Sequence, residues 1–258
     1  MASQIAVQLY TLRDHTKTPA DIAKTLARVK KIGYDAVQSS ALGKIEPQEL
    51  AKILKNEGLT CCATHIGLDA MRDTPEQVIE NHKLWGCELT AIGGWGWKDV
   101  ESAESWTNFA KEYSAIASKF KGSGVSIGYH NHSHELVKYN GQTALDLLFK
   151  NFSSDVWMEV DTYWITHGGG DPIEYVNKYA GRLPAIHLKD MGIGTVNGDR
   201  KQQMREIGEG NLNFRGIVEA ARKAGTKWFI IEQDNCNGLD PFDCVERSLK
   251  NLKALGVN

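Results

Sequence analysis

Apolar positions along this chain switch repeatedly between two spacings. Short runs of apolar, β-branched and aromatic residues lie at 5–11 (IAVQLYT), 35–40 (DAVQSS), 59–66 (LTCCATHI), 88–94 (ELTAIGG), 126–132 (SIGYHNH), 156–161 (VWMEVD), 185–190 (AIHLKD) and 228–233 (WFIIEQ). Each is bounded by turn or breaker residues and reads as a strand. Between them run stretches with a helical repeat, at 19–32, 47–57, 75–86, 102–121, 142–151, 172–181, 213–224 and 241–255. In the first of these, Ile22, Leu26, Val29 and Ile32 recur on one face. Thr18-Pro19, Glu46-Pro47, Thr74-Pro75 and Asp171-Pro172 put proline at the start of a helix, where its missing N–H is not needed. Gly33, Gly58, Gly86, Gly181 and Gly225 fall where a left-handed cap is wanted.

Strict alternation of strand and helix predicts an α/β fold with a parallel sheet, and eight repeats predict its closure into a single (β/α)8 TIM barrel domain over residues 1–258. An open doubly wound sheet would carry a GxGxxG after the first strand, and none is present. One stretch, 191–212, lacks either periodicity. A loop of that length in a compact domain is usually functional or mobile, and this one is expected to cover part of the barrel mouth and supply substrate contacts.

Composition narrows the function classes. The formal net charge of −2 leaves no electrostatic footprint for nucleic acid or an anionic membrane. The cysteines (Cys61, Cys62, Cys87, Cys236 and Cys244) are odd in number and form no CxxC, which points to a reducing, cytoplasmic setting. No basic region followed by an apolar stretch opens the chain, and no run of 18 apolar residues occurs, so neither a signal peptide nor a membrane span is expected. A homo-oligomer is compatible with the sequence.

Catalytic groups of such barrels sit at the C-terminal ends of the strands. Here those ends carry metal-ligand residue types: His65, His130 and His132, Asp161, His187 with Lys189, and Glu232 with Asp234. Period-two alternation places His130 and His132 on one face, Glu159 and Asp161 on another, His187 and Lys189 on a third, and Glu232 and Asp234 on a fourth. If those faces point inward, His130, Asp161, His187 and Glu232 converge on one divalent ion. Two imidazoles with two carboxylates suit manganese first, then zinc, cobalt or magnesium. Trp95, Trp97 and Trp164 follow strands and are candidates for stacking on a sugar. Arg205, with Arg200 and Lys201, is a candidate for a phosphate or carboxylate. The GxSxG at 124–128 opens a strand instead of a strand-to-helix elbow and is set aside. Gly208-Glu-Gly210 is read as shaping the entry to a helix, and His15, His82 and His167 as surface or loop residues.

VQLYTLRD (7–14), IGYD (32–35), GYHNHSHE (128–135), EVDTYW (159–164), RLPAIHLKD (182–190), IGEGNLNF (207–214) and IIEQD (230–234), in this order and spacing, resemble the xylose-isomerase-like sugar phosphate isomerase/epimerase superfamily. The resemblance implies a (β/α)8 barrel, a mouth-bound divalent metal and keto–enol chemistry on sugars or related polyols. Asp161, His187 and Glu232 match three of its metal ligands. The fourth is commonly glutamate and here is His130, within an His-Asn-His run. In the epimerase branch that glutamate and the one on the eighth strand form a proton-transfer pair. A histidine common three residues after the aspartate is here Trp164, and a glutamate frequent on the second strand is here Gln38.

The metal set is kept and the two-carboxylate pair is not. The expected function is a metal-dependent isomerase or epimerase acting on a small keto-sugar through an enediolate. Glu232 and His132 are the candidate bases, and His65 and Lys189 the helpers. The alternative is a lyase that eliminates a substituent from a 3-keto-glycoside in the same site. A metal-dependent apurinic endonuclease would need a basic DNA face, and a non-catalytic sugar-binding barrel is a third class.

Overall fold

The short apolar runs pair side by side. In the computed structural model, which describes residues 4–97, 100 and 102–257, they are β1 (Ile5–Gln8), β2 (Ala36–Ser39), β3 (Thr60–His65), β4 (Leu89–Ile92), β5 (Ser126–His130), β6 (Trp157–Asp161), β7 (Ala185–Leu188) and β8 (Trp228–Ile231). Each is parallel to its sequence neighbours, and β8 returns to β1 to close the barrel.

Alternation divides each strand between two environments. Outward Val7, Val37, Ile127, Val160, Ile186 and Phe229 meet Leu26, Leu50, Phe109, Leu148, Val218 and Leu249 of the surrounding helices in one continuous core. Inward Ala6, Ala36, Ala63, Ala91, Trp157, Ala185 and Ile230 form a separate cluster at the barrel floor. Small residues prevail there because Trp157 fills the space. At Gly128 an added Cβ would lie 2.3 Å from the Trp157 ring, so only glycine admits it. Along the same inward faces, beyond this floor, come Gln8, Gln38, His65, His130, Glu159, His187 and Glu232. The barrel is apolar below and polar above.

Several boundaries differ from those the sequence predicts. β1 stops at Gln8 because its side-chain oxygen accepts from Tyr10 N and starts a 3-10 helix over Leu9–His15. β7 stops at Leu188, and the stretch expected to be a loop is largely an antiparallel hairpin, Asp190–Val196 with Asp199–Arg205. Its turn is Asn197-Gly198, both left-handed, the sequence best suited to a two-residue hairpin. After the hairpin, the N–H groups of Gly208, Gly210 and Leu212 donate to the buried Asp190 carboxylate, as does Met191 N. The two glycines of Gly208-Glu-Gly210 thus turn their N–H groups on a carboxylate of the chain itself. His82, expected at the surface, is fully buried. Its Nδ1 donates to Val78 O within one helix, and Nε2 meets Thr64 Oγ1 on β3 at 2.8 Å, fastening that helix to the barrel. No helix of the described residues is long and apolar enough to cross a membrane.

Candidate metal centre at the barrel mouth

His130 ends β5, Asp161 ends β6, His187 lies on β7, and Glu232 follows β8. Parallel register sets Asp161 beside His187 and His130 beside Glu159. Ligand atoms of His130, Asp161, His187 and Glu232 all lie within 4.8 Å of one another, and all four residues are buried. Asp161 is held twice. Its Oδ1 accepts from Trp164 N and caps a short helix (Thr162–His167), while Asn131 Oδ1 accepts from its backbone N–H. That leaves Oδ2 for the site.

The electrostatics at the convergence point call for a cation. His130 Nδ1 donates to Gly93 O, so in the neutral ring Nε2 carries a lone pair, facing Asp161 Oδ2 at 3.2 Å. Burial pushes His130 down to about 4 and keeps it neutral. His187 Nδ1 lies 2.8 Å from Glu232 Oε2, yet both atoms are buried without hydrogen-bond geometry. Carboxylates gathered in a buried site are costly unless positive charge sits among them. Burial lowers His187, but Glu159 and Glu232 override it and lift it to about 10. In the metal-free chain it holds a proton that a bound cation would displace. The N/O donor set and these orphaned atoms therefore fit a divalent ion.

Lys189, also buried, places Nζ 2.8 Å from Glu232 Oε2, 3.1 Å from Asp161 Oδ2 and 2.9 Å from Asp234 Oδ2. Burial opposes its charge, and these carboxylates overcome the penalty and raise its pKa well above the usual value. It stays cationic.

The mouth opens into a cavity of about 570 Å³, within the range of small-molecule sites. His65, His130, His132, Lys189, Glu232 and Asp234 line its base, and Tyr10, Ile66, Trp97 and Trp164 its rim. His132 presses Nδ1 toward Gly94, where no described residue hydrogen-bonds it. Burial and then His130 drive its pKa far below the usual range, so the ring is neutral.

Trp97 and Trp164 flank His132, with ring centroids at 4.2 and 5.1 Å. Trp95 does not reach the cavity. It stacks on Phe109 at 4.1 Å and abuts Trp106, so its role is packing. Gly94 before Trp95 and Gly96 between the two tryptophans both have positive φ and turn the chain there. Arg205 is likewise not on the cavity lining. It lies along the hairpin over Gly192 and Gly194. Arg200 binds Thr195 and Lys201 approaches Asp199, both at the hairpin's exposed end. None of residues 191–212 lines the cavity; Met204 joins the hairpin to Asp234 and Asn237 instead.

Two residues that sequence reasoning left out of the site stand behind it. Glu159, fully buried, meets His65 Nε2 at 2.6 Å and His187 Nε2 at 3.2 Å. Gln38 bridges Glu159 and His187. The alternation that selects Asp161 also selects Glu159 two positions earlier, and this was the available signal.

Residues 26–255 match the family described as the xylose isomerase-like TIM barrel. Among curated proteins, an inosose dehydratase of Clostridium beijerinckii is 23% identical over 163 residues, covering 58% of this chain and 54% of that protein. The chain thus spans about half the length of the curated relatives it matches. A sugar phosphate isomerase/epimerase from Parabacteroides distasonis superposes with a TM-score of 0.79 at 22% identity, covering 98% of this chain and 95% of that one. A xylose isomerase-like TIM barrel protein from Mycobacterium smegmatis in complex with magnesium gives 0.72 at 13% identity (98% and 97% covered). The IOLI protein with a bound zinc atom gives 0.70, also at 13% identity (98% and 97% covered).

Proposed function

The chain belongs to the xylose isomerase-like TIM barrel family, and on that premise we propose that it is a metal-dependent lyase acting on a keto-sugar or cyclic keto-polyol. The observation that carries this reading is the pairing state of the bases in the cavity. Glu232 is in contact with Lys189 and His187 and belongs to the set that would hold an ion, whereas neutral His132 lines the cavity with no hydrogen-bond or ion-pair partner for its ring among the described residues. His130 stands where a second carboxylate would complete a two-base pair. One free base supports proton removal next to a carbonyl followed by elimination. Inversion at that carbon needs a second proton-handling group on the opposite face.

His130, Asp161, His187 and Glu232 would hold the ion, which supplies Lewis acidity at the substrate carbonyl oxygen. His132 takes the proton from the carbon beside the carbonyl. The electron pair of that C–H bond forms a C=C bond as the C–O bond at the next carbon breaks. The departing oxygen receives the proton back from His132, and water or an alcohol leaves. Lys189 keeps Asp161 and Glu232 in place and adds positive charge beside the reacting carbonyl. Trp97 and Trp164 offer faces to the ring, and His65 offers a polar wall.

The matched inosose dehydratases, whose name denotes loss of water from a cyclic keto-polyol, support the elimination reading. A nucleic-acid substrate finds no support here. Among the described residues, Lys189 is the one lysine or arginine on the cavity lining, and it is already paired with carboxylates.

The test is product analysis. The manganese-, zinc-, cobalt- and magnesium-loaded protein is offered an inosose, a 3-keto-glycoside and simple ketoses in D2O. An unsaturated ketone that has lost its β-substituent is expected, and chelation should abolish its formation. A product that keeps every substituent with one centre inverted would overturn elimination in favour of epimerisation. No turnover with any metal would remove the enzyme reading altogether.

A further inference from the structure

We infer that the buried Glu159 is a positioning residue that, with Gln38 as its adaptor, sets the tautomer of two histidines at once, His187 toward the metal and His65 toward the substrate. The inference rests on the metal reading above.

The argument is one of donors and acceptors. Glu159 and Gln38 are both fully buried, so water cannot correct a mismatch. A carboxylate accepts and cannot donate. The Gln38 group 2.9 Å from Glu159 Oε1 is therefore the amide NH2. The Gln38 carbonyl oxygen then faces His187 Nε2, in close contact at 2.5 Å. A carbonyl also only accepts, so His187 must carry a proton on Nε2. In a metal-loaded site that leaves the Nδ1 lone pair directed at Asp161 and Glu232, where the ion belongs. The second oxygen, Glu159 Oε2, accepts from His65 Nε2 at 2.6 Å. His65 is thereby protonated on Nε2, and its Nδ1 is left as an acceptor on the cavity side, near Gly93.

A carboxylate behind a metal-bound imidazole is a common device for fixing ring orientation. Here a single carboxylate serves one ligand and one cavity residue. The glutamine at position 38 follows from the same logic. A second carboxylate within 2.9 Å of Glu159 would set two acceptors against each other.

The arrangement predicts what each exchange does. In Glu159→Gln the new amide offers one oxygen and one NH2 to two neighbours that both need an acceptor. Either its NH2 faces Gln38, which flips and forces the His187 proton onto Nδ1, or its NH2 faces His65, which must move its proton to Nδ1. One of the two tautomers is lost. In Gln38→Glu two carboxylates meet. The double variant Gln38→Glu/Glu159→Gln restores one acceptor-only group and one amide. The residue at 159 can then donate to 38 and accept from His65, while 38 accepts from His187.

The experiment measures zinc affinity of the full chain by competition with a chromophoric chelator. It also reads the ring-nitrogen shifts of His187 and His65 in the zinc-loaded protein. Wild type should show His187 bound through Nδ1 and protonated on Nε2, with His65 protonated on Nε2. Glu159→Gln should either bind zinc about 10–100-fold more weakly or show His65 protonated on Nδ1. The swap should bring affinity and both tautomers back toward wild type, which a purely space-filling role would not do.

Full affinity with both tautomers unchanged in Glu159→Gln overturns the inference, as does a swap no better than that single variant. Should the variants fail to fold, wild type still decides: His187 bound through Nε2, or His65 protonated on Nδ1, refutes it. A wild-type protein that binds no zinc at His187 overturns the metal reading itself, and this inference with it.

Discussion

Glu135 offers a quantitative check on the loop that carries His132. The carboxyl is fully buried, accepts from Tyr129 OH at 2.8 Å and from His132 N at 2.9 Å, and lies 3.4 Å from His134 Nδ1. Burial raises its pKa from an ordinary 4.5 to about 8, and the hydrogen bonds only partly oppose the rise. The folded chain therefore keeps a proton there that the unfolded chain releases above pH 4.5. The resulting stabilisation is complete at low pH and is lost as pH climbs through about 8. At about 1.36 kcal/mol per pH unit across that gap, the loss is bounded at about 5 kcal/mol. Glu135→Gln removes the titration and keeps an acceptor oxygen and the side chain's size. Urea unfolding of both proteins from pH 5 to 9 isolates the effect, because every other group contributes equally to each. Wild type should lose stability relative to the variant from pH 5 up to about 8 and level off above it, by up to about 4 kcal/mol. Parallel stability–pH curves would refute the reasoning and place the Glu135 proton elsewhere.

Asp190→Ala leaves four backbone N–H groups without their carboxylate, and a destabilisation of about 3–5 kcal/mol is expected by denaturant titration. Protease cleavage near Asn197-Gly198 should accelerate in the same variant. His130→Glu should retain metal, since carboxylate oxygen is also a good ligand. The added negative charge beside an oxygen that gains charge in the reaction should lower turnover by about 10²-fold, the scale of one lost oxyanion contact. Full metal content with unchanged turnover would show that the imidazole at this position is interchangeable.

The barrel was legible because two periodicities alternate without interruption and proline and glycine punctuate the helices. Trp157 opposite Gly128 and the alanines of the other strands are consistent with that period, but the plug they form needs the closed barrel to be seen. Ends of elements were less readable where side chains decide them. Gln8 stops β1 by capping its own backbone, and nothing in an apolar run announces that. Asn197-Gly198 did carry a hairpin signal, but the second strand is mostly exposed and polar, and the first puts glycines at its buried positions 192 and 194, so no apolar alternation drew attention to it. At the site, strand-end position was enough to group His130, Asp161, His187 and Glu232. Trp95 and Trp97 could not be separated by sequence, because left-handed glycines decide which ring turns into the core. Glu159 and Gln38 sit one layer below the strand ends, and their partners come from strands far away in the chain.

The four converging side chains belong to β5, β6, β7 and β8, all in the later half of the barrel. A bound ion would act there as a rivet through four adjacent staves, leaving β1 to β4 held by hydrogen bonds and packing alone. By mass action, free ion at a hundredfold its dissociation constant adds about 2.7 kcal/mol to the native state. That gain is withheld from any opened form in which the later staves separate. A form in which only β1 to β4 loosen keeps the rivet and forfeits little of it. The cylinder then has a weak seam and a strong one, and Gln38 and His65, reaching across from β2 and β3 to Glu159, are the stitches by which the weaker half feels whether the stronger is loaded.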